Sequence, residues 1–416
     1  MTPTVLGSIS LGYQLMWSQL RTLRGVQLFV GMDDATPVEA QHFMTAINES
    51  WSDQAPTLLL SIQSPRLLAD VLDNARVSSR WIEVHESHLR DPVMVNRVYK
   101  AYQRGLKLIW RGEPGQRPSA ALTPCFLRTI VNLTPEEALA GLRVSLRKHN
   151  GADTTRPTWV TSPVQANQIY EFVASWVLSE HCLDQQNAWA VAGWPVEDVL
   201  HGYRHQRIPP GHRAVVALIE AIDGDASAEQ VERLLIEDPI LTYRFMRYAN
   251  SAALGLRNEI DSLRQGLIVL GFAVVRSWLL EQLPHATSDL NLMPVHNTMV
   301  LRAHLMAQLL ETGGDDLRRE IFLCGLLSQI DLLLGEPLNT ALARLKLSDR
   351  ITAAALAHSG PYMPYLDIAT ALESPQTHAT RLLCEAHQMD TEVVNRALLR
   401  TLSTVRPPPA KGVLLA

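Results

Sequence analysis

No stretch of about 18 uncharged apolar residues occurs in this chain, which excludes an ordinary membrane-spanning helix. Its first twenty residues, MTPTVLGSISLGYQLMWSQL, have neither a basic start nor a small-residue cleavage site, so no secretory signal is expected. Only four cysteines are present, Cys125, Cys182, Cys324 and Cys384, far apart and without a CxxC pair. That spacing argues against a zinc ribbon and a disulfide framework, and suggests reduced thiols in a cytoplasmic protein. Excess positive charge is also missing: the net charge is −5 and the basic residues form no run, so a dedicated nucleic-acid binder is not expected. There is no GxxxxGK[ST], GxGxxG, GxSxG or HExxH, which removes a P-loop, a dinucleotide fingerprint, a serine-hydrolase elbow and a zincin site.

What is present is a 416-residue chain, 47% hydrophobic, long enough for two or three globular cores. Its halves differ in rhythm. Strand candidates at 26–30, 57–62, 81–85, 107–110, 129–133 and 158–161 alternate with helical segments, a pattern for a parallel α/β sheet, open or closed into a barrel. Beyond about residue 210 strand signals cease and helical periodicity runs to about 404, with Pro209-Pro210-Gly211 as a breaker. The expected division is a domain over 1–200, a linker over 201–212, a helical domain over 213–404 and a frayed tail over 405–416.

Within the helical half, Asp238-Pro239 is a helix start, Asn250-Ser251 and Gly255 are stop signals, and Ile260, Leu263, Leu267, Leu270 and Val274 form an apolar stripe. Asp238, Pro239, Asn250, Ser251, Ile260, Ser262, Gln265 and Leu270-Gly271 together resemble the HDOD domain, a catalytically silent relative of the HD metal-dependent phosphohydrolases. In the helix 320–331, Ser328-Gln329 stands where that superfamily has its His-Asp metal doublet. His296 sits near an upstream ligand position and His304 eight residues on, too few groups for a metal centre. The segment from Gly325 to Glu373 resembles the closing helices of EAL-HDOD signalling proteins.

The first half in turn resembles a much eroded EAL domain, the barrel that hydrolyses cyclic di-GMP in active members. GYQLMWS (12–18), WIEVHES (81–87) and the segment 158–195 are similar to its landmarks in order. An active site of that type needs two divalent metals in a cage of oxygen ligands. The resemblance puts Gln14 at the first Glu, Ser18 at the phosphate-gripping Arg, and Ser61 or Gln63 at the metal-binding Asn. Trp110 and Arg111 fall in the DDFG turn. Asn132 and Thr134 match the later Lys and Asp, Thr161 the Glu of KVET, and Ala188 the final Gln. Glu83 alone survives as a ligand in this reading. Paired acids at Glu136-Glu137 and Asp315-Asp316 follow break signals and suit helix starts, and Ser227 suits a helix cap.

The resemblance implies an α/β barrel of the EAL (TIM-like) type followed by an all-helical HDOD domain, without catalysis, metal or cofactor. The leading expectation is a signalling or scaffold protein acting on other signalling proteins in motility, attachment or biofilm control, with self-association left open. A cyclic di-GMP receptor that binds through Arg111 with Trp110 or Trp189 is the alternative, and an active phosphodiesterase ranks third.

Overall fold

The computed structural model describes residues 4–32, 38–149, 161–251, 254, 259–310 and 313–405. Eight strands close into a barrel in sequence order: β1 (Ile9–Trp17), β2 (Leu23–Met32), β3 (Thr57–Ile62), β4 (Trp81–His85), β5 (Lys107–Arg111), β6 (Arg128–Asn132), β7 (Ile169–Glu171) and β8 (Ala190–Ala192). β1 runs antiparallel to β2 and β8, and every other neighbour pair is parallel. Both faces are covered, so strands such as LRGVQLFVGM are apolar on both sides. Met16, Leu59, Trp81, Ile109, Ile130, Ile169, Trp189 and Ala192 fill the interior. Alternation then points Gln14, Gln27, Ser61, Glu83, Arg111, Asn132 and Glu171 inward as well.

Five of the six expected strands form. The sixth, expected at 158–161, is not seen at its described end, since Thr161 is exposed and outside any strand; the rest of it lies outside the described residues. The seventh strand is Ile169–Glu171, only three residues long, too short for periodicity to reveal. The short Ala190–Ala192 and the long β1 also escaped the strand reading.

The chain forms two compact units, residues 199–370 and residues 1–198 together with 371–416. This departs from the expected helical domain over 213–404: the Thr377–Ala386 and Thr391–Thr404 helices pack on β1 and on the Ala40–Ser50 helix. Their amphipathic pattern carries no signal of which body they cover. The expected linker differs too. Pro210 O accepts from Thr287 N at 2.9 Å, His212 N donates to Thr287 O at 2.8 Å, and Gly211 N donates to Asp238 Oδ2 at 2.7 Å, which fixes its end to the helical unit. The expected tail, apart from Val405, and the stop signal Gly255 lie outside the described residues.

In the helical unit Asp238 caps the Pro239–Ala249 helix, its Oδ1 accepting from Leu241 N at 2.9 Å. Ser227 and Gln230 form a full capping box. The apolar stripe expected from Ile260 to Val274 is not one helix. Gly271, at φ +74° and ψ 155°, ends Leu263–Leu270 and begins Phe272–Gln282, and the chain turns through 107° there. Only glycine adopts that backbone readily, and Val274 is left exposed. Among the described residues no single helix is long and apolar enough to cross a membrane.

Candidate functional site

The parallel strands bring their carboxyl ends to one mouth of the barrel, where inward side chains meet in a single polar network. Gln27 on β2 donates from Nε2 to Ser61 Oγ at 3.0 Å and to Glu83 Oε2 at 2.9 Å, and Ser61 donates to the same Glu83 oxygen. Arg111 grips Glu171 in bidentate fashion, Nε to Oε1 at 3.0 Å and a terminal nitrogen to Oε2 at 2.9 Å, while its other terminal nitrogen reaches Glu83 Oε1 at 3.4 Å. The two glutamates and Gln27 are buried. Gln27 Oε1 is itself buried without a hydrogen-bond partner.

One guanidinium thus serves two carboxylates. Burial works against the cation, but the attraction of Glu83 and Glu171 outweighs it and holds the Arg111 pKa above its ordinary value. Burial pushes Glu171 up to about 7, against the opposing pull of Arg111 and with added repulsion from Glu83.

Several expected site residues lie elsewhere. Gln14 faces inward opposite Gln27 in the β1–β2 register, but Gln27 makes the bond to Glu83. Ser18 closes the β1–β2 turn against Thr22 (2.8 Å), at the far end of the barrel. Trp110 alternates to the outer face, buried, and donates from Nε1 to Glu86 Oε2 at 2.7 Å. Trp189 lies among the starts of the parallel strands, its ring 4.6 Å from that of Trp81 and under Arg24 and Arg128. Neither tryptophan stands beside Arg111 at the mouth. Asn132 does, in register with Glu171. Thr134 instead exchanges capping bonds with Glu137 at the start of the Pro135–His149 helix. Thr161 is exposed, and Ala188 packs with Val131 and Tyr170 outside the mouth.

Sequence reasoning missed Glu171 because the seventh strand was placed at least eight residues early, so the mouth keeps two carboxylates where one was expected. Phe172, directly after Glu171, sits at φ +54° and is 65% exposed, an uncommon backbone for a bulky residue. Such strain clusters at functional sites.

The second expected site is dispersed. His296 is buried in the Met293–Leu309 helix, its Nδ1 3.7 Å from Asp238 Oδ2 and its Nε2 without a partner. Both Asp238 oxygens already accept backbone N–H groups. Ser328 Oγ turns back to Gly325 O at 2.8 Å, and no side-chain hydrogen bond joins Ser328 or Gln329 to His296. His304 packs edge-on to Phe322 at 4.9 Å, and burial lowers its pKa. A cleft of about 900 Å³ in this unit includes none of His296, Ser328 and Gln329 in its lining. Three of the five arginines in its lining are engaged by local acids, Arg350 with Glu320, Arg319 with Asp316 and Arg233 with Glu229. Among the described residues no three His, Cys, Asp or Glu side chains converge to hold a metal ion.

The HDOD signature residues are structural. Asn250 donates from Nδ2 to Met246 O (3.1 Å) and Ile260 O (2.7 Å) and accepts from Ile260 N (2.9 Å), tying the loop to the helix it ends. Ser251 continues that turn through its N–H to Tyr248 O. Gln265 accepts from Asp261 N at 3.2 Å and is capped by Ser262.

The chain is similar to known proteins over part of its length. The chain is 26% identical over 200 residues to the cyclic di-GMP phosphodiesterase CdgJ of Vibrio cholerae, covering 47% of this chain and 46% of that one. It is 24% identical over 181 residues to protein YuxH of Bacillus subtilis, covering 42% and 43%. The matches thus span under half the length of either relative. Among solved structures it is similar to the response regulator MmoQ of Methylococcus capsulatus, at 21% identity over 44% of this chain and 71% of that one, with a TM-score of 0.27. The family description that matches is the HDOD domain, and residues 208–348 of this chain form one.

Proposed function

We propose that this chain is a non-enzymatic signal-transduction protein, in which an eroded EAL-like barrel and an HDOD domain present surfaces to partner proteins, in pathways such as motility, attachment or biofilm control. One observation carries the reading: the Arg111 guanidinium lies between Glu83 and Glu171, where two carboxylates would otherwise share a divalent cation. An internal cation there supplies charge neutralisation but offers no open position to activate water. Its donors are spent on carboxylates, which leaves little for a phosphate. The HDOD domain and the similarity to a cyclic di-GMP signalling protein support the signalling role.

That same similarity favours one second reading, a receptor that binds cyclic di-GMP without hydrolysing it. Calorimetric titration of the purified chain with the dinucleotide, in Mg²⁺ and again in Mn²⁺, followed by chromatography of the nucleotide, separates the two. The scaffold reading expects no heat and intact nucleotide. Saturable heat with intact nucleotide would replace it with the receptor, and a linearised product would overturn both.

A further inference from the structure

The inward face of the β1–β2 ribbon is occupied near the mouth by the chain's own later residues. Gly12 and Gly31 both lie on that face by alternation with Met16 and Gln27. A Cβ on Gly12 would stand 2.1 Å from Ser374 O, and one on Gly31 would stand 2.0 Å from Thr377 Oγ1. Two glycines therefore admit the segment 374–377 against the barrel. Gln63, just past β3, fastens it: Nε2 donates to Pro375 O at 2.7 Å and Oε1 accepts from Thr377 Oγ1 at 2.9 Å. Further along, Asn395 Nδ2 donates to Leu6 O and Ile9 O, both at 2.8 Å. Gln27 and Ser61, on the strands beneath, are 0% and 5% exposed.

We infer that residues 374–386 are an intramolecular lid on the β1–β3 side of the barrel mouth, able to open while the barrel and the apolar-packed Thr391–Thr404 helix stay folded. Its fastening is polar and incomplete. Gln63 is exposed, and on the lid's covered face, where Thr377, Thr380 and Cys384 are the buried residues, Thr380 Oγ1 has no hydrogen-bond partner. A buried polar atom left unpaired in the closed state regains water on opening, which favours a low-energy local release over global unfolding. Opening would uncover the network of Gln27, Ser61 and Glu83 from the side that Arg111 does not fill.

Native-state hydrogen exchange of the full chain, read by peptide mass across a series of sub-denaturing urea concentrations, tests the lid whatever the mouth binds. Amides of the Thr377–Ala386 helix should exchange at least about tenfold faster than those of β2 and β3, with a smaller urea dependence. Gln63→Ala removes both fastening bonds and should speed lid exchange by about fivefold per bond, leaving β2 unchanged; Thr377→Val should do the same for one bond. Exchange of lid and β2 at one rate and one urea slope, or equal acceleration of both in Gln63→Ala, would overturn the lid.

Discussion

Replacing Glu171 by Gln should flatten the dependence of barrel stability on pH. In the folded chain the Glu171 pKa is about 7 against an ordinary 4.5, so the folded state holds a proton that the unfolded chain releases. A group raised in this way contributes stability that is fully present below pH 4.5 and is lost as pH rises through about 7. The difference of about 2.5 units at about 1.36 kcal/mol each amounts to about 3 kcal/mol, most of it lost between about pH 5 and about pH 8. The Glu171→Gln side chain keeps the shape and part of the hydrogen bonding but does not titrate, so the variant's stability should lack this fall. Because the two units can unfold separately or together, one global transition is a poor gauge. Exchange protection of β2 to β5 at matched urea, corrected for intrinsic rates, isolates the barrel. Parallel pH slopes for the two proteins would refute the assignment of a proton to this carboxylate.

Three further outcomes follow from the same contacts. Arg111→Met leaves Glu83 and Glu171 buried without a cation and should cost about 3–5 kcal/mol at about pH 8 and markedly less at about pH 5.5, where Glu171 takes a proton; an equal loss at both pH values in the same exchange assay would contradict it. Gly271→Ala meets no atom within 4 Å, so its cost is purely conformational, about 1–3 kcal/mol, read as lost protection of Leu263–Leu270 and Phe272–Gln282 with the barrel unchanged. Asn250→Ala removes three hydrogen bonds of the residue that ends the Pro239–Ala249 helix, one to Met246 O within the helix and two with Ile260 in the loop, and should lower protection of that helix by about 2 kcal/mol.

The order of barrel then helices was legible because long periodic segments signal their own structure. So was the helix start at Asp238-Pro239, whose cap chemistry is local. The site was legible only in part. Glu83 and Arg111 lie on strands with clear patterns, and both reach the mouth. Glu171 lies on a three-residue strand that carries no periodic signal, and a mistaken strand there displaced the candidate to Thr161. Gln27 was passed over because β1, an antiparallel strand in a sheet read as wholly parallel, was taken for the bearer of the motif. Face assignment decided Trp110: residue type suggested a stacking partner, but alternation turns it outward to Glu86. Nothing in the amphipathic pattern of 377–404 foretold that these helices return to the barrel.

That return has a practical meaning for anyone dissecting the molecule. A chain cut after residue 198, once the last barrel strand and the helix after it have begun, would strip β1 of its helical cover. Leu6 O and Ile9 O would lose their Asn395 donor, and newly bared apolar surface would invite contact with other copies. Leu6 O and Ile9 O keep their Asn395 donor only where the segment from 371 onward is retained together with 1–198. From the barrel's standpoint the HDOD-bearing unit is one long insertion between two parts of the same body, and closing such a loop costs only logarithmically in its length.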